Sequence, residues 1–472
     1  MAGSIPMGAS IPCPSHHFAS SSFLTKRTVA LALYALIPLA LLHYLLTLPP
    51  PLPPPPTTAA APSSPSPSRQ ANASAAASPE ASAARCDYSD GEWVRTAAAP
   101  RYSGASCGET IKAGQNCAAH GRPDTGYLRW RWRPRGCALP PFDPAAFLGA
   151  VRGRHVAFVG DSLARNQCES LVCLLASAFP ARLVRGAGGG DGDGDGDELR
   201  KFRRWAFPSH NATVSVFWSP FLVNGTERPK APPPAGGLYH NRIYFDQPDE
   251  RWAAEAPGFD VVVLSAGQWY LNPAMFYDRG AFIGCHRCPE GNRTETGFFG
   301  VFRLAVRNAL RELTARVASA SSSSSPARPR LAVVTTFSPA HFEGEWDSPT
   351  SCARTEPYAR GEREPLYMDE EMLRAGVEEA TAAGADATAR GAGLAVEALQ
   401  VTRLAAMRPD GHPGLYTRAF PFVGGATERM PNDCVHWCLP GPIDTWNEIL
   451  LQVVKRWADS VDAGAASAAP SN

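Results

Sequence analysis

Hydrophobic and polar positions along this chain follow three successive regimes. Residues 28–48 (TVALALYALIPLALLHYLLTL) are 21 residues without a formal charge, just enough for one helical crossing of a hydrocarbon core, which takes about 20. Residues 49–85 are almost entirely Pro, Ala, Ser and Thr, a composition that cannot bury enough apolar surface to fold and favours extended polyproline II. From Cys86 onward short apolar runs return. The first stretch, to residue 144, is rich in Cys, Trp, Arg and turn residues and has little periodicity, which predicts a cross-linked, loop-rich subdomain.

Beyond it the period alternates between strand and helix. Residues 155–159 (HVAFV), 259–264 (FDVVVL) and 331–336 (LAVVTT) are short apolar, β-branched runs of the kind found in strands covered on both faces. Another strand is expected at 394–401. Helical patterns follow residue 162 and cover 299–318, 369–390 and 445–457. Strands alternating with helices predict an α/β sandwich with a mostly parallel sheet, with a catalytic domain over 145–460 and a flexible tail over 461–472. The Gly186–Asp197 insert lacks the spacing of a calcium loop and reads as a surface loop. The run 129–135 (RWRWRPR) reads as an edge strand with its Trp residues inward, or as a basic site for an anion.

Topology follows from charge. Lys26 and Arg27 precede the apolar run, and the next charged residue is Arg69. That asymmetry predicts a cytosolic tail (1–27), a signal anchor (28–48), a stalk (49–85) and a head on the far side of the membrane. The competing reading is a cleaved signal peptide, whose apolar core is usually about 7–15 residues. Sequons at Asn72, Asn211, Asn224 and Asn292 lie beyond the anchor, as do 11 of the 12 cysteines, which in an oxidising lumen read as disulfides with at least one thiol left over. Cys285-His286-Arg287-Cys288 has half of a zinc spacing but no second half, so no metal is expected there. With 45 basic and 44 acidic side chains, the chain lacks the basic excess of a nucleic-acid binder.

Gly160-Asp161-Ser162 falls between an apolar strand and a helix, so Ser162 stands at the carboxyl edge of the sheet, at a helix N-terminus whose free N–H groups favour an oxyanion. The bland alternative is an N-cap. Asp433 and His436 form a D-x-x-H before the last helix, a spacing that sets a carboxylate beside an imidazole and leaves the other ring nitrogen to take a serine proton. Cys434 and Cys438, if oxidised, pin that loop. Gly267 is a candidate oxyanion donor, with Asn166 and Gln268 as further candidates that equally suit loop packing. Arg165 either meets an acidic donor group or lies on the helix surface. Trp269, Tyr270 and Trp437 suit sugar stacking or the core, and His210, His341 and His412 read as structural.

Together, CDYSDGEWV, GRPDTGYLRWRWRPRGCALPPFD, FVGDSLARNQCESLVCLL, SPFLV, LSAGQWY, GCHRCP, TTFSPAHFEGEWD, RPDGHPG and NDCVHWCLPGPIDTWNE resemble the SGNH/GDSL-type hydrolases. More closely, they resemble the plant trichome birefringence-like polysaccharide O-acetyltransferases. The resemblance implies an SGNH-like three-layer fold and a type II Golgi anchor with a lumenal head. It implies Ser162 as nucleophile with Asp433 and His436 as its partners, and bridges Cys86–Cys137 and Cys107–Cys173. GCHRCP and HFEG are similar to the branch acting on xyloglucan and on mannan or glucomannan, while CDYSDGEWV and CGETIKAGQNC lie nearer the mannan side. The implied reaction is acetyl transfer through an acetyl-serine to a hemicellulose hydroxyl. No bound cofactor is expected; acetyl-CoA is the donor expected, although no Gly-rich phosphate cradle in the sequence marks it. An acetylesterase with the same residues and a non-catalytic wall-polysaccharide binder are the alternatives.

Overall fold

The computed structural model describes residues 86–184, 201–229, 238–289, 294–319, 328–423, 425 and 429–468. The expected cytosolic tail, anchor and stalk, the sequons at Asn72 and Asn292, and the Gly186–Asp197 insert lie outside the described residues, while the tail expected to be flexible from residue 461 continues the last helix to Ala468. No helix among the described residues is long and apolar enough to cross a membrane.

The centre is a seven-stranded sheet. Strands β1 (Gly91–Arg95) and β2 (Trp130–Pro134) form a separate antiparallel pair, and the large sheet begins with β3 (His155–Gly160). Strands β4 (Arg182–Val184), β5 (Phe202–Phe207) and β6 (Ala212–Trp218) follow on one side of β3; β9 (Val261–Ser265), β12 (Arg330–Thr335) and β13 (Leu394–Leu399) follow on the other. The order is β13-β12-β9-β3-β6-β5-β4. Pairing is parallel from β13 through β6 and antiparallel across β6-β5-β4.

Period-2 geometry splits even the wholly apolar strands between two cores. Val156, Phe158, Val261, Val263, Leu331 and Val333 enter one core with the helices Ser162–Ala176 and Asp444–Ala468. Ala157, Val159, Val262, Leu264, Ala332 and Val334 enter the other with the helices Phe299–Ser319 and Tyr367–Ala389. We label these helices, with Pro144–Ala150 as α1, α2 (Ser162–Ala176), α3 (Glu250–Ala253), α4 (Phe299–Ser319), α5 (Tyr367–Ala389), α6 (Thr402–Ala406) and α7 (Asp444–Ala468). The result is the expected α/β sandwich with helices on both faces of a mostly parallel sheet.

A second sheet was not legible beforehand. Strands β7 (Val223–Thr226), β8 (Asn241–Pro248), β10 (Ala274–Asp278) and β11 (Ala281–His286) form a four-stranded sheet in the order β11-β10-β8-β7. Its strands are half polar and exposed on one side, so they lack the apolar runs that mark the main sheet. Cys285 and Cys288 are bridged to each other at its end.

The run 129–135 is the strand β2, with Trp132 buried and Arg131 and Arg133 exposed. Trp132 meets Trp93 of β1 edge-on at 5.5 Å between ring centres. Arg408 ties this pair to the main body: its guanidinium lies 4.3 Å from the Trp93 ring centre and pairs with Asp410, both side chains being almost fully buried. It also donates to the Tyr127 carbonyl at 2.7 Å. Removing one partner of a buried ion pair strands the other charge. Arg408→Ala should therefore cost about 3–5 kcal/mol of stability, whereas exposed Arg133→Ala should stay within about 0.5 kcal/mol. Denaturant unfolding of the two variants checks this; equal losses would refute it.

Candidate active site

The chain order reverses at β3. It builds outward through β6 on one side and, after returning, through β9 on the other, and crevices of open α/β sheets form at the carboxyl ends beside such a reversal. The turns after β3 and β9 face each other there. Gly160 has φ +153°, and a Cβ on it would stand 1.7 Å from the Ser265 carbonyl oxygen, so only glycine lets β3 turn this close to β9. The Asp161 amide donates to that same carbonyl at 3.0 Å, and the Ser219 amide donates to the Gly160 carbonyl at 2.8 Å.

Asp161 is the N-cap of α2, accepting from the Leu163 amide at 2.9 Å through Oδ1. Its Oδ2 accepts from the Gly267 amide at 3.1 Å. The carboxyl thus gathers N–H groups from both sides of the crevice. Burial pushes it up to about 6, against the opposing pull of these amides, Gln268 and His436. Ser162 is the first residue of α2, where a helical amide has no partner within the helix.

The turn 433–436 sets a carboxylate against an imidazole. His436 Nδ1 meets Asp433 Oδ2 at 2.8 Å, while Asp433 Oδ1 accepts from the amides of Val435 and His436 at 3.1 and 2.9 Å. A carboxylate only accepts, so Nδ1 carries the proton and Nε2 is the basic nitrogen. Burial alone would raise the Asp433 carboxyl; the His436 imidazole and these hydrogen bonds outweigh it and hold it well below the usual carboxylate range. His436 Nε2 is buried and has no hydrogen-bond partner among the described residues. No hydrogen bond joins it to Ser162; a hydroxyl brought within reach could donate to that lone pair.

Asn166, one turn beyond Ser162, carries α2 to this turn. Its Oδ1 accepts from the Trp437 amide at 2.8 Å and its Nδ2 donates to the Trp437 carbonyl at 3.2 Å. Two bridges pin the same segment: Cys352–Cys434 and Cys117–Cys438. Both expected pairs, Cys86–Cys137 and Cys107–Cys173, are also present. Cys168 is the free thiol among the described residues, buried in α2.

The other candidates are relocated. Gly267 is no free oxyanion donor here, because its amide is engaged by Asp161. Asn166 is fully buried and spends its amide on Trp437 and Gln115, which makes it a clamp. Arg165 is not on the helix surface: it is 3% exposed, 5.9 Å from the Trp218 ring centre. Gln268 donates to the Ser338 carbonyl at 2.7 Å. Tyr270 and Trp437 are fully buried, so no sugar reaches them, while Trp269 stays half-buried at the crevice against Trp218 and Phe221. Asn211 is exposed in a left-handed turn; the Asn224 amide is bonded to Gln247.

Residues 139–453 match the model of the GDSL/SGNH-like acyl-esterase family found in Pmr5 and Cas1p, named PC-Esterase. The chain belongs to this family. Residues 84–138 match the PMR5 N-terminal domain. Xyloglucan O-acetyltransferase 1 of Populus trichocarpa is 52% identical over 372 residues, 79% of this chain and 82% of that protein. Xyloglucan O-acetyltransferase 1 of Arabidopsis thaliana is 48% identical over 79% of this chain and 81% of its own length. Protein trichome birefringence-like 26 of the same plant is 36% identical over 79% and 77%. The family suggested by the motifs is the family found.

Within this PC-esterase crevice, the raised Asp161 carboxyl has a consequence for stability. A group whose folded value lies above its unfolded one stabilises fully below the unfolded value and loses that contribution as pH rises through the folded one. The Tm advantage of the parent chain over Asp161→Asn should therefore shrink between about pH 4 and pH 7. A pH-independent difference in thermal melts would refute this.

Proposed function

We propose that this chain is a polysaccharide O-acetyltransferase that acetylates xyloglucan through an acetyl-Ser162 intermediate. The observation that carries the reading is the His436 ring, proton fixed on Nδ1 by Asp433 and Nε2 unpartnered, on a turn clamped to the helix that Ser162 begins. The names of the relatives at 52% and 48% identity support xyloglucan over mannan as the acceptor.

The steps follow from these groups. Ser162 Oγ attacks the acetyl carbonyl carbon as its proton passes to His436 Nε2, and the collapsing tetrahedral adduct expels the donor's leaving group, which takes that proton. An acceptor hydroxyl then gives its proton to Nε2 and attacks the acetyl-serine carbon; Ser162 Oγ leaves and recovers the proton. The negative oxygen formed in each step lies at the N-terminus of α2, where the Ser162 amide is a donor, and one such donor contributes about 3–4 kcal/mol. Phe342 and Trp346, 40% and 56% exposed, offer rings for a glucan chain close by: the Trp346 carbonyl accepts from the Asn432 amide at 3.2 Å, next to Asp433.

The location proposed is the Golgi membrane, with residues 28–48 as a type II anchor. The five bridges among the described residues support an oxidising compartment. Acetyl-CoA is the proposed donor. An acetylesterase would use the same three side chains with water as acceptor, so the acceptor assay is decisive. With an acetyl-labelled donor, label should appear in xyloglucan oligosaccharides, with less in mannan oligosaccharides and little as free acetate. Predominant free acetate would mean hydrolysis; preferential label in mannan would overturn the acceptor. Ser162→Ala and His436→Ala should each lower kcat by roughly 10⁴-fold or more, with unchanged melting curves. Activity that survives Ser162→Ala would end the covalent reading.

A further inference from the structure

His341 and His412, 2% exposed each, stand directly behind the catalytic turn, and neither is used in the steps above. The segment carrying His412 runs beside residues 433–438: Gly414 and Asp433 exchange backbone hydrogen bonds, and the Cys438 amide donates to the Gly411 carbonyl at 2.9 Å. The His412 ring stacks on Trp437, 4.2 Å between centres and 22° between planes. The His341 amide donates to the Cys434 carbonyl at 3.0 Å. Both residues therefore bear on the backbone of the turn that orients His436.

Their rings form a chain of three short contacts. His412 Nδ1 lies 2.6 Å from the His436 carbonyl oxygen, His412 Nε2 lies 2.7 Å from His341 Nδ1, and His341 Nε2 lies 2.8 Å from the Ala406 carbonyl oxygen. Carbonyl oxygens only accept, so His412 Nδ1 and His341 Nε2 must each carry a proton. The central nitrogens, at 2.7 Å, need a proton between them, since two facing lone pairs would repel. Three contacts thus require three protons, and two neutral imidazoles carry two. Flipping either ring would lower that count only by setting C–H groups against both of its partners and so giving up two of the three contacts.

We infer that His341 and His412 share one additional proton, forming a buried cationic strut that positions His436 for its role as base. The inference rests on the reading of His436 as that base. Burial acts against the charge and lowers both rings' hold on a proton. Around His341, Arg363 opposes the charge, and Tyr358 packs at 6.4 Å. Around His412, Asp433 favours it and His436 opposes it, while Arg122 donates to the His412 carbonyl and Arg408 is neutralised by Asp410. Loss of the proton as pH rises puts lone pair against lone pair. One ring must then turn, releasing the carbonyl of His436 or that of Ala406.

The test uses the full chain labelled with ¹⁵N in the histidine rings. At mildly acid pH two histidines should together show three protonated ring nitrogens, and the third should be lost on an alkaline limb that coincides with a fall in kcat at constant KM. Two protonated and two bare nitrogens for this pair at mildly acid pH would overturn the shared proton, whatever the activity does. His412→Ala should lower kcat roughly 10²-fold, the scale of an ångström-sized misplacement, with KM unchanged. His412→Asn retains a donor where Nδ1 stood, so it should recover most of that loss and abolish the alkaline limb. An unaltered limb in His412→Asn, or parental kcat in His412→Ala, would overturn the positioning role. A chain in which Ser162→Ala remains active would instead overturn the catalytic reading, leaving the nitrogen count to stand on its own.

Discussion

The site depends on one constraint: a turn far along the chain must be held against the first turn of α2. Neither element fixes the other by sequence proximity. Asn166 supplies the link from the helix side, donating and accepting on the same residue, Trp437, so that a shift of the turn in either direction strains a hydrogen bond. The bridges Cys352–Cys434 and Cys117–Cys438 supply it from the loop side. Cross-links that close long loops remove the most freedom from the unfolded chain, and the second spans 321 residues. Ordering of the His436 turn is thereby part of folding itself.

The same constraint explains the composition of α2. By periodicity an apolar stripe suffices for one side of a helix, but here Leu163 through Leu175 are all buried, including Asn166, Gln167, Glu169 and Ser170. Each buried polar group must find a partner. Gln167 and Ser170 meet Asn447 of α7, Ser170 also meets Asp444, and the Lys112 amide donates to Glu169. These bonds fix the axial position of α2 more tightly than apolar packing, which tolerates small slides. The Ser162 side chain, at the helix terminus, is aimed by that position.

How much of this was readable from residues follows the same division between local and distant. The β3–β9–β12 strands were legible because parallel strands covered on both faces are apolar throughout, and the turn after β3 was legible because Gly160-Asp161-Ser162 is local. The Asp433–His436 contact was legible too, being a matter of three residues. The four-stranded second sheet was not, because its half-polar strands carry no run to detect. Their neighbourhood makes Gly267 a candidate oxyanion donor and leaves Asn166 open between that role and loop packing; the partners that occupy them, Asp161 and Trp437, are set by tertiary contacts that no spacing reveals. His341 and His412 looked structural for the same reason. A histidine's chemistry lies in what faces its two nitrogens, and those facing groups are 65 and 24 residues away.

The segment preceding the α/β sandwich is tied to the site by the same logic. Cys117 bridges to Cys438, the Leu439 amide donates to the Gln115 carbonyl at 2.8 Å, and the Asn166 side chain reaches Gln115. From the other direction, Arg122 donates to the carbonyls of Asp410 and His412, holding the strip on which the histidine strut rests. Residues 113–124 therefore press on both strips of chain behind His436. The His436 imidazole is ordered by groups drawn from the Cys-rich segment, from α2 and from the loop after α6, and each contact removes a different direction of movement. Rigidity from several independent attachments suits the base proposed for His436, whose Nε2 must stay unpartnered and pointed at an incoming hydroxyl, since a free lone pair in a loose loop would turn to find a donor of its own.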